Sequence, residues 1–203
     1  MNPERKIKKD KQIQGLRGLA RRSTDTQELM SELMRLRRAY GRLSRDSVTG
    51  LYVRSEGEEA LKRLVKNARA KGTDISVVFF DLVKFKELND RFGHDAGDEA
   101  LGKVGALIGS LIRDTDIAYR FGGDEIVVAL PNASKDDAAA FIQRVSGAVE
   151  TKGDELRESY GIPELRISAG SKTMNGREMA DAGQGMRQLL READRSMYAD
   201  KNG

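Results

Sequence analysis

Arg120-Phe121-Gly122-Gly123-Asp124-Glu125-Ile126 is the stretch on which the reading of this chain turns. Two glycines lie between two apolar runs, Ile117-Ala118-Tyr119 before them and Ile126-Val127-Val128-Ala129-Leu130 after, which predicts a tight hairpin. Glycine permits positive φ and lets a ligand come close to the main chain. Asp124 and Glu125 leave the turn where a metal, or a metal carried on phosphate, can reach them. Alone, this is a hairpin with acids on it; its meaning depends on what else converges there.

Upstream, Ile75-Ser76-Val77-Val78-Phe79-Phe80 is β-branched, aromatic and apolar almost throughout, which predicts a central strand. Asp81 follows at its carboxyl end, where open sheets present ligand-binding groups. A helix over 56–71 precedes this strand, with Ala60, Leu61, Leu64, Val65 and Ala68 on one face. After it comes a short helix from Phe85 to Arg91, a break at Gly93–Gly97, and a helix capped by Asp95 that carries Leu101, Val104, Leu107, Ile108, Leu111 and Ile112. Downstream of the hairpin the pattern predicts a helix from Asp136 to Glu150 or on to Tyr160, then a strand over 165–170. A glycine-bearing loop over 175–185 leads to a last helix with Met186, Leu189, Leu190, Ala193 and Met197 inward. The order is strand, helix pair, strand, hairpin, strand, helix, strand, helix. That is an α+β sandwich, a ferredoxin-like or nucleotide-cyclase-like split βαβ arrangement with helices covering a mixed sheet. The crossover helices are expected to lay strand 117–121 beside strand 75–81.

The 203 residues suffice for one cored domain and an appendage. Residues 1–22 hold eight basic residues against two acidic ones, a net of +6, and the remaining 28 basic and 30 acidic residues give −2. The overall charge of +4 therefore belongs to the first segment, and a nucleic-acid reading of the folded part loses its support. Residues 1–22 read as a solvated tail; the sharper reading is contact with anionic lipid or nucleic acid. Within 23–45, Leu29, Leu33, Leu36, Tyr40 and Leu43 recur at coiled-coil spacing, so a self-pairing stalk and a helix lying on its own domain both stand. The domain proper is expected over 46–203. No apolar run approaches the roughly 18 residues of a membrane helix, and the N-terminal segment lacks the apolar core of a secretory signal, so a cytoplasmic protein is expected. With no cysteine there is no disulfide framework.

If Asp81 and Asp124 meet, their oxygens suit Mg²⁺ or Mn²⁺, ions that take few carboxylates plus substrate phosphates. Leu82-Val83-Lys84-Phe85-Lys86 runs into a helix N-terminus, whose free N–H groups bind phosphate, with Lys86 adding charge. Together these suit phosphoryl or nucleotidyl transfer. His94 is the lone histidine and no triad can be built on it, and no Walker loop is present. Each piece has a plainer reading: an Asp ending a strand is usually a turn residue, and Asn89 and Asp98 alone are surface polar groups.

Jointly, the pieces resemble the GGDEF family, the diguanylate cyclases. The resemblance runs from Asp46 to Gly203 through DSVTGL (46–51), FFDLVKFKELNDRFGHDAGDEAL (79–101), RFGGDEI (120–126), RISAG (166–170) and ADRSMYADK (193–201). It implies condensation of two GTP molecules into cyclic di-GMP with release of pyrophosphate, one GTP per protomer of a homodimer. It implies Asp81, Asp124 and the Leu82 carbonyl as metal ligands. Asp124 would be the base for the attacking 3′-hydroxyl, with Glu125 assisting. Lys86 would stabilise phosphate charge in a backbone cradle over Val83, Lys84, Phe85 and Lys86. Asn89 and Asp98 would read guanine, with His94 on the same nucleotide-binding stretch. Gly122 and Gly123 would make room for the nucleotide, and Lys201 would touch the γ-phosphate. A carboxylate at 98 accepts from guanine N1–H and N2–H, which adenine lacks.

Arg113-Asp114-Thr115-Asp116 has the RxxD spacing of the family's inhibitory product site, in which Arg113 grips and Asp116 takes guanine donors; the plainer reading is a surface Arg–Asp pair. The chain departs from the family pattern at Val83 (usually Asp), Ile126 (usually Phe) and Val53 (usually Asn). The family's arginine four positions beyond Lys201 would fall past Gly203. These departures motivate an alternative: a weak or inactive domain serving as a cyclic di-GMP-binding effector.

Overall fold

The computed structural model describes residues 30–31, 44–160 and 165–201. The chain falls into two compact units, 1–45 and 46–203, and the second carries everything below. The basic segment 1–22 and the heptad residues Leu29, Leu33, Leu36, Tyr40 and Leu43 lie outside the described residues. Within the second unit the elements are α1 (Arg54–Lys71), β1 (Asp74–Leu82), α2 (Phe85–Phe92), α3 (His94–Leu111), β2 (Ile117–Gly122) and β3 (Glu125–Pro131). They continue with α4 (Lys135–Tyr160), β4 (Ile167–Asn175), a 3₁₀ turn (Gly176–Glu178) and α5 (Ala182–Lys201). No helix among the described residues is long and apolar enough to cross a membrane.

The sheet order is β2-β3-β1-β4, the split βαβ arrangement expected. One expectation fails: strand 117–121 does not lie beside β1. β3 returns from the hairpin into the slot between them and pairs antiparallel with β1 from Ile75–Pro131 to Asp81–Glu125. The physical reason lies in the two runs. Ile126 to Leu130 are buried without interruption, as a central strand requires, whereas β2 carries the half-exposed Ile117, Arg120 and Phe121 and takes the edge. All named strands pair antiparallel; the parallel bridge Tyr52–Tyr119 makes the sheet mixed at the β2 edge.

Both faces of β1 are covered, which explains its unbroken apolar sequence. Val78, Phe80 and Leu82 pack with Leu101, Val104 and Ile108 of α3 and Phe141 and Val145 of α4. Ile75, Val77 and Phe79 pack with Leu61 and Val65 of α1 and Leu189, Ala193 and Met197 of α5. The helix after the break starts at His94 with Gly93 (φ 88°) as its N-cap, so Asp95 does not cap it. Gly93 can hold that positive φ at no steric cost, and the aspartate falls inside the first turn instead.

Helix α5 lies against β4 at backbone distance: a Cβ on Gly170 would come 1.9 Å from Met197 N and 2.5 Å from Ala193 O. Neither atom is a side chain that can move aside. Gly170→Ala is therefore expected to lower stability by about 3 kcal/mol, the upper part of the overpacking range, read as a shift of the urea midpoint at unchanged m-value.

Candidate active site

The β1–β3 register sets Asp81 opposite Glu125, and Asp124 is the turn residue just before it. Asp81 and Asp124 thus meet through β3, the neighbour that sequence reasoning misplaced. The turn itself is tight. Gly123 sits at φ 49°, the β2–β3 register shifts between Arg120 and Gly122, and the Arg120 Nε–H donates to Gly123 O at 2.9 Å. Arg120 also pairs with Asp46 at 3.2 Å, and Asp46 in turn accepts from the Thr49 N–H and hydroxyl, each at 2.9 Å. Burial alone would raise the Asp46 carboxyl, but the Thr49 hydrogen bonds and Arg120 outweigh it and hold the group below its ordinary value. The DSVTGL turn is in this way tied to the hairpin.

Asp81 is 7% exposed, and its Oδ1 accepts from Lys201 Nζ at 2.6 Å. The last turn of α5 brings Lys201 there; Asp200 Oδ2 accepts from the Ala169 N–H at 3.1 Å and pins that helix end to β4. Burial and then the Asp81 charge push the Asp124 carboxyl above its ordinary range. Glu125 is raised by burial, then by Asp194, Asp81 and Asp124. Lys201 is raised by its hydrogen bond to Asp81, with Asp124 and Glu125 adding to the effect. Asp194 is a carboxylate that sequence reasoning missed. It lies seven residues before Lys201 on α5, two helical turns away and so on the same face, and that spacing is the signal that could have found it.

Among the described residues no group of three or more His, Cys, Asp or Glu side chains closes into a metal cage. The neighbouring Asp81 and Asp124 carboxylates suit a different kind of site, one with few carboxylates completed by phosphate oxygens, as Mg²⁺ prefers. The ammonium on Asp81 is a stand-in cation that marks where positive charge is favoured.

The chain then leaves β1 at Leu82. The Val83 N–H donates to Arg166 O at 2.9 Å, so it is already used, and any phosphate cradle narrows to Lys84, Phe85 and Lys86. Lys84 takes a left-handed conformation (φ 59°) as the N-cap of α2, whose first-turn N–H groups have no intrahelical partner. Lys84 also lies 3.6 Å from Glu87, Phe85 is half-buried and Lys86 is exposed. Farther along α2, Asn89 Oδ1 is buried with no hydrogen-bond partner among the described residues. It lies against α3 where Gly97 has no side chain, since a Cβ there would come 1.8 Å from it. Gly97 is thus a second missed residue: it clears the space into which Asn89 points. Asp98 and His94 are exposed on the first turns of α3. Arg113 and Asp116 sit in one turn outside this site. Asp116 is buried and accepts from the Arg113 N–H at 2.9 Å, while the Arg113 side chain is exposed.

The family described as "Diguanylate cyclase, GGDEF domain" matches residues 43–203. Diguanylate cyclase DosC of Escherichia coli K12 is 32% identical over 156 residues, 77% of this chain and 32% of that protein. The response regulator PleD of Caulobacter vibrioides is 33% identical over 158 residues, 77% of this chain and 33% of its own. The chain spans about a third of the length of these curated relatives. Among solved structures, the coiled coil and GGDEF domain of DgcB from Caulobacter crescentus, in complex with c-di-GMP, superposes with a TM-score of 0.76. It is 24% identical, covering 91% of this chain and 94% of that one. The GGDEF domain of YfiN (TpbB) from Pseudomonas aeruginosa gives 0.64 at 32% identity, covering 78% and 88%.

The raised Asp124 carboxyl has a stability consequence. Its folded-state value lies above the ordinary 3.8, so the folded protein holds this proton more tightly than the unfolded chain. Stability then falls as pH rises from the ordinary value through the raised one. In chelator-treated protein, Asp124→Asn is expected to flatten that fall and to raise Tm at neutral pH, with the difference closing toward about pH 4.

Proposed function

The chain belongs to the GGDEF family, and we propose that it is a cytoplasmic diguanylate cyclase. In this reading two protomers of a homodimer each hold one GTP and join them into cyclic di-GMP. The observation that supports this most is the convergence of Asp81, Asp124, Glu125 and Lys201 beside the open N-terminus of α2. Asp81, Asp124 and the Leu82 carbonyl would hold Mg²⁺ or Mn²⁺, which when bound neutralises phosphate charge and polarises the α-phosphate. The N–H groups of Lys84, Phe85 and Lys86 orient the triphosphate, and the Lys86 ammonium adds charge at the same end. Asn89, whose amide oxygen has no partner where it lies against Gly97, would turn that acceptor to the guanine edge, and Asp98 would supply a carboxylate for N1–H and N2–H.

The 3′-hydroxyl of one GTP attacks the α-phosphorus of the other; the new O3′–P bond forms as the bond to the bridging β-phosphate oxygen breaks, and pyrophosphate leaves. Asp124 takes the hydroxyl proton, with Glu125 beside it. Burial and like charge push both carboxyls upward, which strengthens them as bases.

The competing reading, an inactive effector, draws on Val83 and Ile126. Ile126 is wholly buried in β3, opposite Phe80, so its exchange for the family's Phe alters packing and leaves the ligand set whole. That favours the enzyme. Feedback at the RxxD turn is consistent with the same picture: Asp116 fixes the turn and the exposed Arg113 guanidinium is available to product.

Incubation with GTP and Mg²⁺ should yield cyclic di-GMP and pyrophosphate, identified by mass spectrometry, and Asp124→Ala should lower the rate by about 100-fold or more. Absence of product at high protein concentration would sink the enzymatic reading. In calorimetry, Arg113→Ala should weaken product binding by about tenfold, the worth of one charge-assisted contact; unchanged affinity would remove the RxxD site.

A further inference from the structure

Asp81 is an almost fully buried carboxylate with two others beside it, Asp124 and Glu125. Such a group is costly without a positive partner. Among the described residues, the cation that meets it is the Lys201 ammonium at 2.6 Å. A divalent cation bound to the same carboxylate would sit at about 2.1 Å from its oxygen. The ammonium already holds Oδ1, and two cations so close repel strongly in a part-buried site.

We propose that Lys201 is a built-in counter-cation of the metal site: it neutralises Asp81 while no divalent ion is bound, and must leave Asp81 when one binds. The anatomy suits an exchange made by the side chain alone. The Asp200–Ala169 hydrogen bond holds the end of α5 in place, so the helix need not shift. The Lys201 side chain is 37% exposed and has room to swing. The negative end of the helix dipole keeps its charge favourable at the new position. Leaving Asp81 frees the ammonium at the edge of the same site, where a triphosphate would supply its next partner. The inference rests on the metal-site reading above, but the exchange itself needs no nucleotide.

The test is a Mn²⁺ titration of nucleotide-free protein, with free Mn²⁺ followed by electron paramagnetic resonance, for the parent chain, Lys201→Met and Asp81→Asn. Removing the competing ammonium should tighten Mn²⁺ binding about tenfold in Lys201→Met, while Asp81→Asn should abolish it. The chelator-treated Lys201→Met protein should also melt below the parent, and Mn²⁺ should raise its Tm by more. A purely structural lysine would lower Tm without changing Mn²⁺ affinity, and that result overturns the proposal. If Lys201→Met binds Mn²⁺ no tighter than the parent while Asp81→Asn loses it, the counter-cation fails and the metal site survives. If none of the three binds Mn²⁺, the exchange is overturned, because it requires a metal ion at Asp81 without nucleotide, while a metal site completed by phosphate still stands.

Discussion

The molecule is arranged around one uncomfortable placement: a carboxylate buried at the end of its most apolar strand. Ile75 to Leu82 are buried on both faces, and Asp81 sits in that run with 7% of its surface exposed. Water cannot solvate it adequately, and its neighbours Asp124 and Glu125 carry the same sign. A fold that keeps such a group must deliver positive charge to it. Helix α5 does so from the far end of the chain, 120 residues away.

That delivery explains why β4 and α5 meet at backbone distance. Gly170 lets the helix lie directly on the strand that pairs with β1, and the strand–helix contact carries Lys201 to the tip of the neighbouring strand. Packing and electrostatics are therefore one problem here. A bulkier residue at 170 would lift the helix, and with it the cation, from the acid.

The helices, the central strand and the split βαβ class could be read from the sequence because hydrophobic periodicity and β-branched runs encode burial directly. Strand neighbours were less legible. Both β2 and β3 carry apolar runs, Ile117–Tyr119 and Ile126–Leu130, and the depth of burial along the second decides which takes the inner slot. The acidic pair was anticipated from Asp81 at a strand end and Asp124 at a hairpin, although the strand that joins them was not. Asp194 and Gly97 were missed for a common reason. One is an unremarkable helix carboxylate and the other a glycine that matters only through the atom it leaves room for, so each acquires meaning from a partner distant in sequence. Likewise the Val83 N–H looks free in a list of residues and is engaged only because Arg166 comes alongside.

The Asp46–Arg120–Gly123 chain has a mechanical side. Asp46 is the first residue of the compact unit, and a single guanidinium joins its carboxylate to the carbonyl at the tip of the hairpin. Tyr52 reinforces the seam, donating to Ala118 O and accepting from the Arg120 N–H. Displacement at residue 46 therefore has a direct route, through the Arg120 side chain, to the turn bearing Asp124. A torque applied where the domain begins would be felt first at the acids.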